Sequence, residues 1–205
     1  MLCGNTFAAD TWVKTDPASL TTGDVVAIVD LTTAKAMSNN NGTGSAPSAT
    51  AVTLNEAQTE ITGDVAETLQ WVVTVSNGSY QFGVADTDTY LYATATNNGL
   101  RVGTNTNNAF TIVKDANNNQ ADFLHINTTK SDETVEDRYV GVYNSQDWRS
   151  YTSINNNIKA TVTAFFKKTA SSTSEKIATT IQLSNHAISG FVGGSMDIPT
   201  ATVYA

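Results

Sequence analysis

Basic side chains are scarce in this chain: 11 Lys and Arg stand against 19 Asp and Glu, a formal net charge of -8 over 205 residues. No cluster of cations is present to displace counterions from a phosphate backbone, which excludes nucleic acid as a partner. The densest basic run is Lys167-Lys168. Cys3 is the only cysteine, so no disulfide closes within the chain. No apolar run approaches the roughly 20 residues of a membrane-crossing helix, and no membrane span is expected. The opening stretch MLCGNTFAAD has neither the basic segment nor the apolar core of a secretory signal.

Reactive constellations are missing as well. The two histidines, His125 and His186, stand in different regions and cannot supply the three or four convergent ligands of a zinc site. Serines and threonines abound, but none lies in a G-x-S-x-G elbow beside a base. Asp86-Thr87-Asp88 has the oxygen density of a calcium loop without its remaining ligands. The acidic pairs Asp132-Glu133 and Glu136-Asp137 read as a solvated loop within KSDETVED. The chain is therefore read as non-catalytic, with no cofactor and no metal.

What is abundant is asparagine, threonine and serine around short β-branched and aromatic runs. Leu69 to Gly103 carries the clearest pattern. Trp71, Val73 and Val75 alternate with other residues, Asn77-Gly78 makes a two-residue turn, and Tyr80, Phe82 and Val84 alternate again, which is a hairpin. Val25–Val29 is continuous and reads as a buried strand. The strand-like runs fall into three cycles of four. Opening strands lie at Val25–Val29, Tyr80–Val84 and Phe123–Ile126, and second strands at Ala34–Met37, Tyr90–Tyr92 and Arg138–Tyr143. Third strands lie at Ala51–Leu54, Leu100–Val102 and Trp148–Tyr151, and closing strands at Trp71–Val75, Phe110–Val113 and Val162–Phe166. Repetition of this kind means that no single unit buries its apolar face alone. The expected fold is all-β and β-trefoil-like, three four-strand repeats plus a short C-terminal β extension. A β-sandwich shares the alternation and the turn spacing.

Residues 1–10 are read as a lead, 11–168 as the domain, 169–176 as a linker and 177–205 as the extension. TASSTSEK has no apolar anchor, while Ile177–Leu183 alternates Ile177, Thr179, Ile181 and Leu183 against Ala178, Thr180 and Gln182. A strand of that kind is marginal alone and needs an edge to pair with. Self-association, or docking to a larger assembly through 177–205, is expected.

The segments LTTGDVVAIVD, LQWVVTVSNGSYQF, TYLYATATNNGLRV and RYVGVYNSQDWRSYTS resemble an accessory module of secreted and surface proteins from Bacteroidetes and their phages. The resemblance spans about residues 11–168. It implies a trefoil-like, non-catalytic domain found outside the cell or at its surface, with the virion as the alternative location. The Gln-x-Trp signature of ricin-like lectins is not matched: Gln70 and Trp71 are adjacent, and sugar sites of that family cannot be carried over.

Candidate contact residues cluster in the third repeat. Tyr139, Tyr143, Trp148 and Tyr151 lie close together, flanked by Arg138 and Arg149. Aromatic faces beside planar hydrogen-bonding groups suit a sugar or peptide, which offers CH faces with polar edges. Tyr139 and Tyr143 share a strand face and read as core. Trp148, after the polar turn at Gln146-Asp147, stands between core and surface. The expected ligand-binding set is Trp148, Arg149, Asp147 and Tyr151, and the expected partner is a glycan or a surface protein. The alternative function is a virion decoration or fibre protein whose tail engages a neighbour.

Overall fold

The computed structural model describes residues 10–116 and 121–169. Along them run β1 (Thr11–Thr15), β2 (Val25–Asp30), β3 (Lys35–Asn41), β4 (Pro47–Ala51), β5 (Glu60–Ile61), β6 (Trp71–Ser76) and β7 (Ser79–Gly83). They are followed by β8 (Tyr90–Ala93), β9 (Leu100–Gly103), β10 (Thr111–Asp115), β11 (Ala121–Thr129), β12 (Val135–Tyr143), β13 (Asp147–Tyr151) and β14 (Thr163–Thr169). Two single 3₁₀ turns, Pro17–Ser19 and Glu67–Leu69, complete the regular structure.

Six strands close on themselves. Antiparallel pairing runs β2–β6–β7, crosses to β10 through the Tyr80–Phe110 bridge, continues β10–β11–β14 and returns to β2. The remaining strands of each repeat form the hairpins β3–β4, β8–β9 and β12–β13. This is the β-trefoil: opening and closing strands make the barrel, and the middle pairs make the hairpins. Asn77 and Gly78 both have positive φ, 49° and 77°, as the β6–β7 turn requires.

Alternation explains where the core sits. In β2, Val26 and Ile28 point into the barrel, where Trp71, Phe82, Phe110 and Phe165 lie fully or almost fully buried. Ala27 and Val29 point the other way and are also buried, against Trp12, Ile61 and Phe166. The second layer comes from β1, which pairs with β14, and from β5, which pairs with β1. β2 is thus covered on both faces, and its sequence is correspondingly an unbroken apolar run.

Several boundaries differ from expectation. The third strand of the first repeat is Pro47–Ala51 rather than Ala51–Leu54; Leu54 makes only an isolated bridge to Ile61. The polar stretch 39–48 is mostly hairpin, because β3 extends through Asn41. The charged stretch 128–137 is also hairpin: β11 runs to Thr129 and β12 starts at Val135, so Glu136 and Asp137 are strand residues. Thr169, placed in the linker, is the last residue of β14 and pairs with Thr11. The rest of the expected linker, the extension 177–205 and residues 1–9 of the lead lie outside the described residues.

Trp71 has its ring wholly buried, and its Nε1 donates to the Met37 carbonyl at 3.1 Å. Trp71→Ala should cost about 3–5 kcal/mol in chemical denaturation. A loss below about 1 kcal/mol would contradict this packing.

Asp24 supports the entry to β2. Burial works against ionisation, but the Lys167 ammonium at 2.8 Å and the Thr21 amide and hydroxyl outweigh it, so the carboxyl titrates below its ordinary value. A lowered folded-state pKa gives stability that is present above the unfolded value near 4 and lost as pH falls through the folded one. Asp24→Asn should therefore flatten the fall of stability below about pH 4, read as midpoint against pH. An unchanged slope would exclude Asp24 as a contributor.

Candidate functional site

The third repeat and the preceding strand form a four-stranded antiparallel sheet, β10–β11–β12–β13, whose outer face collects the polar and aromatic groups. Register sets one row across it: Thr111 opposes His125, His125 opposes Tyr139, and Tyr139 opposes Tyr151. His125 is fixed from both sides. Its Nδ1 lies 3.1 Å from the Thr111 hydroxyl and its Nε2 2.9 Å from Asp137 Oδ1. Its ring packs against that of Tyr139 at 5.0 Å between centroids. Burial, with the charge of Asp137, pushes the Tyr139 phenol above its ordinary pKa.

The loop after β13 folds back over the centre of this face. Gly141 permits the approach, since a Cβ there would stand 2.7 Å from Ile158 Cβ and 2.8 Å from Thr161 Oγ1. Thr161 Oγ1 accepts the Val142 amide at 2.9 Å, anchoring the loop's end. Ile158 of the loop clusters with Tyr151 and Phe123, with Tyr139 and Tyr143 at the margin. Beside the loop opens a cleft of about 690 Å³, lined by Val113, Asp115, Tyr139, Thr152, Ile154 and Lys159.

Of the expected ligand-binding set, Asp147 and Arg149 stand together at the other end of the face. Arg149 Nε donates to Asp147 Oδ1 at 2.6 Å and Nη2 to Oδ2 at 2.9 Å, a bidentate pair. The guanidinium lies 4.0 Å from the centre of the Tyr143 ring. The hydrogen bond to Asp147 holds the Arg149 proton more tightly than usual, against the effect of burial. Tyr151 is only 7% exposed, and its phenol is pushed up chiefly by burial.

Trp148 requires a correction. It is 0% exposed and packs inside the barrel core, so it presents no platform to a ligand. The reason is parity: Asp147, Arg149 and Tyr151 occupy one face of β13, which places Trp148 and Ser150 on the other. Tyr139 and Tyr143, expected as core, are half-buried on the outer face. His125 as a held, ring-packed group was not singled out from sequence. Only the cross-strand register reveals it, and register depends on hairpin lengths that the residues 128–137 concealed.

All three tryptophans, Trp12, Trp71 and Trp148, are at most 2% exposed. Their fluorescence should be blue-shifted and resist iodide, with the three indoles quenched far less than in the unfolded chain. Strong quenching that Trp148→Phe abolishes would return Trp148 to the surface.

No protein-family model matches the chain, and neither does any curated protein. Among solved structures, it is similar to the ricin B-like lectin of Macrolepiota procera, described in complex with lactose. The TM-score is 0.51 at 11% identity, covering 74% of this chain and 99% of that one. It is also similar to a protein described as the BEL beta-trefoil in an apo crystal form, with TM-score 0.46 and 12% identity over 75% of this chain and 98% of that one. The first likeness agrees with the trefoil topology traced above.

Proposed function

We propose that the domain is a non-catalytic glycan-binding module whose contact surface is the cleft beside Tyr139. The carrying observation is the half-buried Tyr139 ring in a cleft that also offers the Thr152 and Ser153 hydroxyls, with Asp115 and Lys159 in its lining. A pyranose has apolar CH faces and polar edges, and an aromatic ring flanked by donors and acceptors meets both. The similar structure described as a lectin in complex with lactose supports this reading. The Tyr143–Arg149–Asp147 group adjoins this surface as a second contact: its planar guanidinium covers the tyrosine and is held in place by the carboxylate. Tyr151, cross-strand from Tyr139, clusters with both tyrosines. A surface rich in asparagine and threonine and poor in charge, together with the sequence resemblance, favours a secreted or cell-surface setting in Bacteroidetes.

A second reading, a virion or other assembly subunit, rests on the alternating segment Ile177–Leu183. Light scattering on the full chain distinguishes the two. Concentration-dependent self-association favours assembly, and a monomer at all concentrations removes self-association as the role.

A glycan array followed by calorimetry tests the first reading. Tyr139→Ala should weaken binding at least about tenfold, roughly 1.4 kcal/mol, with the thermal midpoint recorded alongside. Tyr143→Ala should have a smaller effect. Absence of any glycan binding by the wild type would overturn the reading, while unchanged affinity in Tyr139→Ala would move the contact elsewhere.

A further inference from the structure

On another part of the domain, between the first and second repeats, a pocket of about 350 Å³ has a different chemistry. Val25, Val72 and Val84 contribute an apolar surface, and Val25 directly opposes Val72 in the β2–β6 ladder. Asn39, Gln70, Glu67 and Asp86 supply the polar lining, and no lining residue is basic.

The two carboxamides are oriented by their neighbours. Asn39 Nδ2 donates to the Glu67 carbonyl at 2.8 Å and to the Gln70 carbonyl at 2.9 Å. Gln70 Nε2 donates to the Val65 carbonyl at 2.8 Å. Carbonyl oxygens accept only, so these contacts fix which end of each amide is nitrogen. Both Asn39 N–H groups and one of the two on Gln70 are thereby engaged with the backbone, and the amide oxygens, with the second Gln70 N–H, remain as the groups available to a ligand. Neither the Glu67 nor the Asp86 carboxylate has an ion-pair partner among the described residues. Apart from the Thr68 hydroxyl and the second Gln70 N–H, the polar side chains thus offer acceptors, two of them carboxylates, beside an aliphatic surface.

That one-sidedness selects a ligand class. An anion meets two carboxylates and no cation. A neutral sugar hydroxyl both donates and accepts, so a lining of acceptors answers half of it. An aromatic ligand finds no ring. An alkylammonium has three donors, no acceptor and a methylene stem, which suits the carboxylates and amide oxygens with its head and the valines with its stem. We propose that this pocket is a second ligand site, taking a primary alkylammonium group with its stem over Val25, Val72 and Val84 and its charge among the oxygens of Asn39, Gln70, Glu67 and Asp86. The net charge of -8 favours the approach of such a cation.

The test follows the valine methyls of the full chain by NMR during titration with Nα-acetyl-lysine N-methylamide. The control is the norleucine counterpart, which keeps the stem and lacks the ammonium. The lysine compound should shift the methyls of Val25, Val72 and Val84, with the norleucine compound at least about tenfold weaker. The exposed pair Glu67→Gln and Asp86→Asn should abolish that difference while leaving the thermal midpoint unchanged. Cadaverine, run in parallel, separates the sources: equal binding indicates a free amine, and preference for the lysine compound indicates a side chain of a partner protein. Equal binding of the norleucine compound, no movement of the three valines, or undiminished binding by the double variant would each overturn the proposal. None of these outcomes depends on whether the Tyr139 cleft binds glycan.

Discussion

Closure of the six-stranded barrel is the constraint on which the remaining structure depends, and side-chain packing sustains it where the backbone ladder is thin. Two of its six seams are narrow. β7 meets β10 only at the Tyr80–Phe110 bridge, and β11 meets β14 only at Asp122–Thr163. Phe82 bridges the first gap from inside, with its ring 6.3 Å from that of Phe110, and stacks at 5.9 Å on Phe165 from the last strand. Such ring pairs contribute about 0.5–1.5 kcal/mol each beyond the area they bury. The Phe82–Phe165 pair also joins the second repeat to the third, and Val26, Ile28 and Trp71 of the first share that core, so no repeat keeps its apolar face covered without the others.

Carboxamides serve a comparable purpose on the outside. Asn41 donates from Nδ2 to the Val102 carbonyl and accepts the Val102 amide on Oδ1, both at 2.8 Å, imitating one step of a neighbouring strand on β9. Asn107 reaches the Ala93 carbonyl, and Gln58 the Leu31 carbonyl. A backbone group at a hairpin margin needs a partner, and an amide side chain supplies a donor and an acceptor without bringing a charge. The abundance of asparagine therefore reflects stitching between elements as well as turn chemistry. From sequence it read as turns alone, because a side chain's distant backbone partner has no local signature.

The same distinction separates what was legible from what was not. Period-two alternation and the Asn77-Gly78 turn located the β6–β7 hairpin, and the three cycles of four strands match the trefoil repeats closely. Local pattern failed where polar residues continue a strand beyond its apolar centre, as at Lys35–Asn41 and Val135–Tyr143. It also failed on the facing of β13. A shift of one residue exchanges every side chain between faces, and the segment Asp147–Tyr151 is amphipathic under either choice: Trp148 inward, or Tyr151 and Arg149 inward. The pairing of Trp148 with Val142 decides it, and that pairing belongs to the tertiary structure. The expected set consequently joined a buried tryptophan to three residues of the opposite strand face.

Arg138 carries this logic furthest. It is 1% exposed, yet Nη2 donates to Glu136 at 2.8 Å and to the Ala95 carbonyl, Nη1 to Asn97 at 3.3 Å, and Nε to the Thr128 hydroxyl at 3.2 Å. Removing one partner from a buried, hydrogen-bonded charge generally costs about 3–5 kcal/mol, because the other charge is left unanswered. A slip of β12 by one residue would take Arg138 away from Ala95 and Asn97 of the second repeat and leave those acceptors without it. With Arg138 held inward, Asp137 and Tyr139 must face outward, to meet His125 and the cleft. The network therefore links the register of the third repeat to the composition of its outer surface: a buried cation with no access to a ligand determines which aromatic ring the ligand would meet.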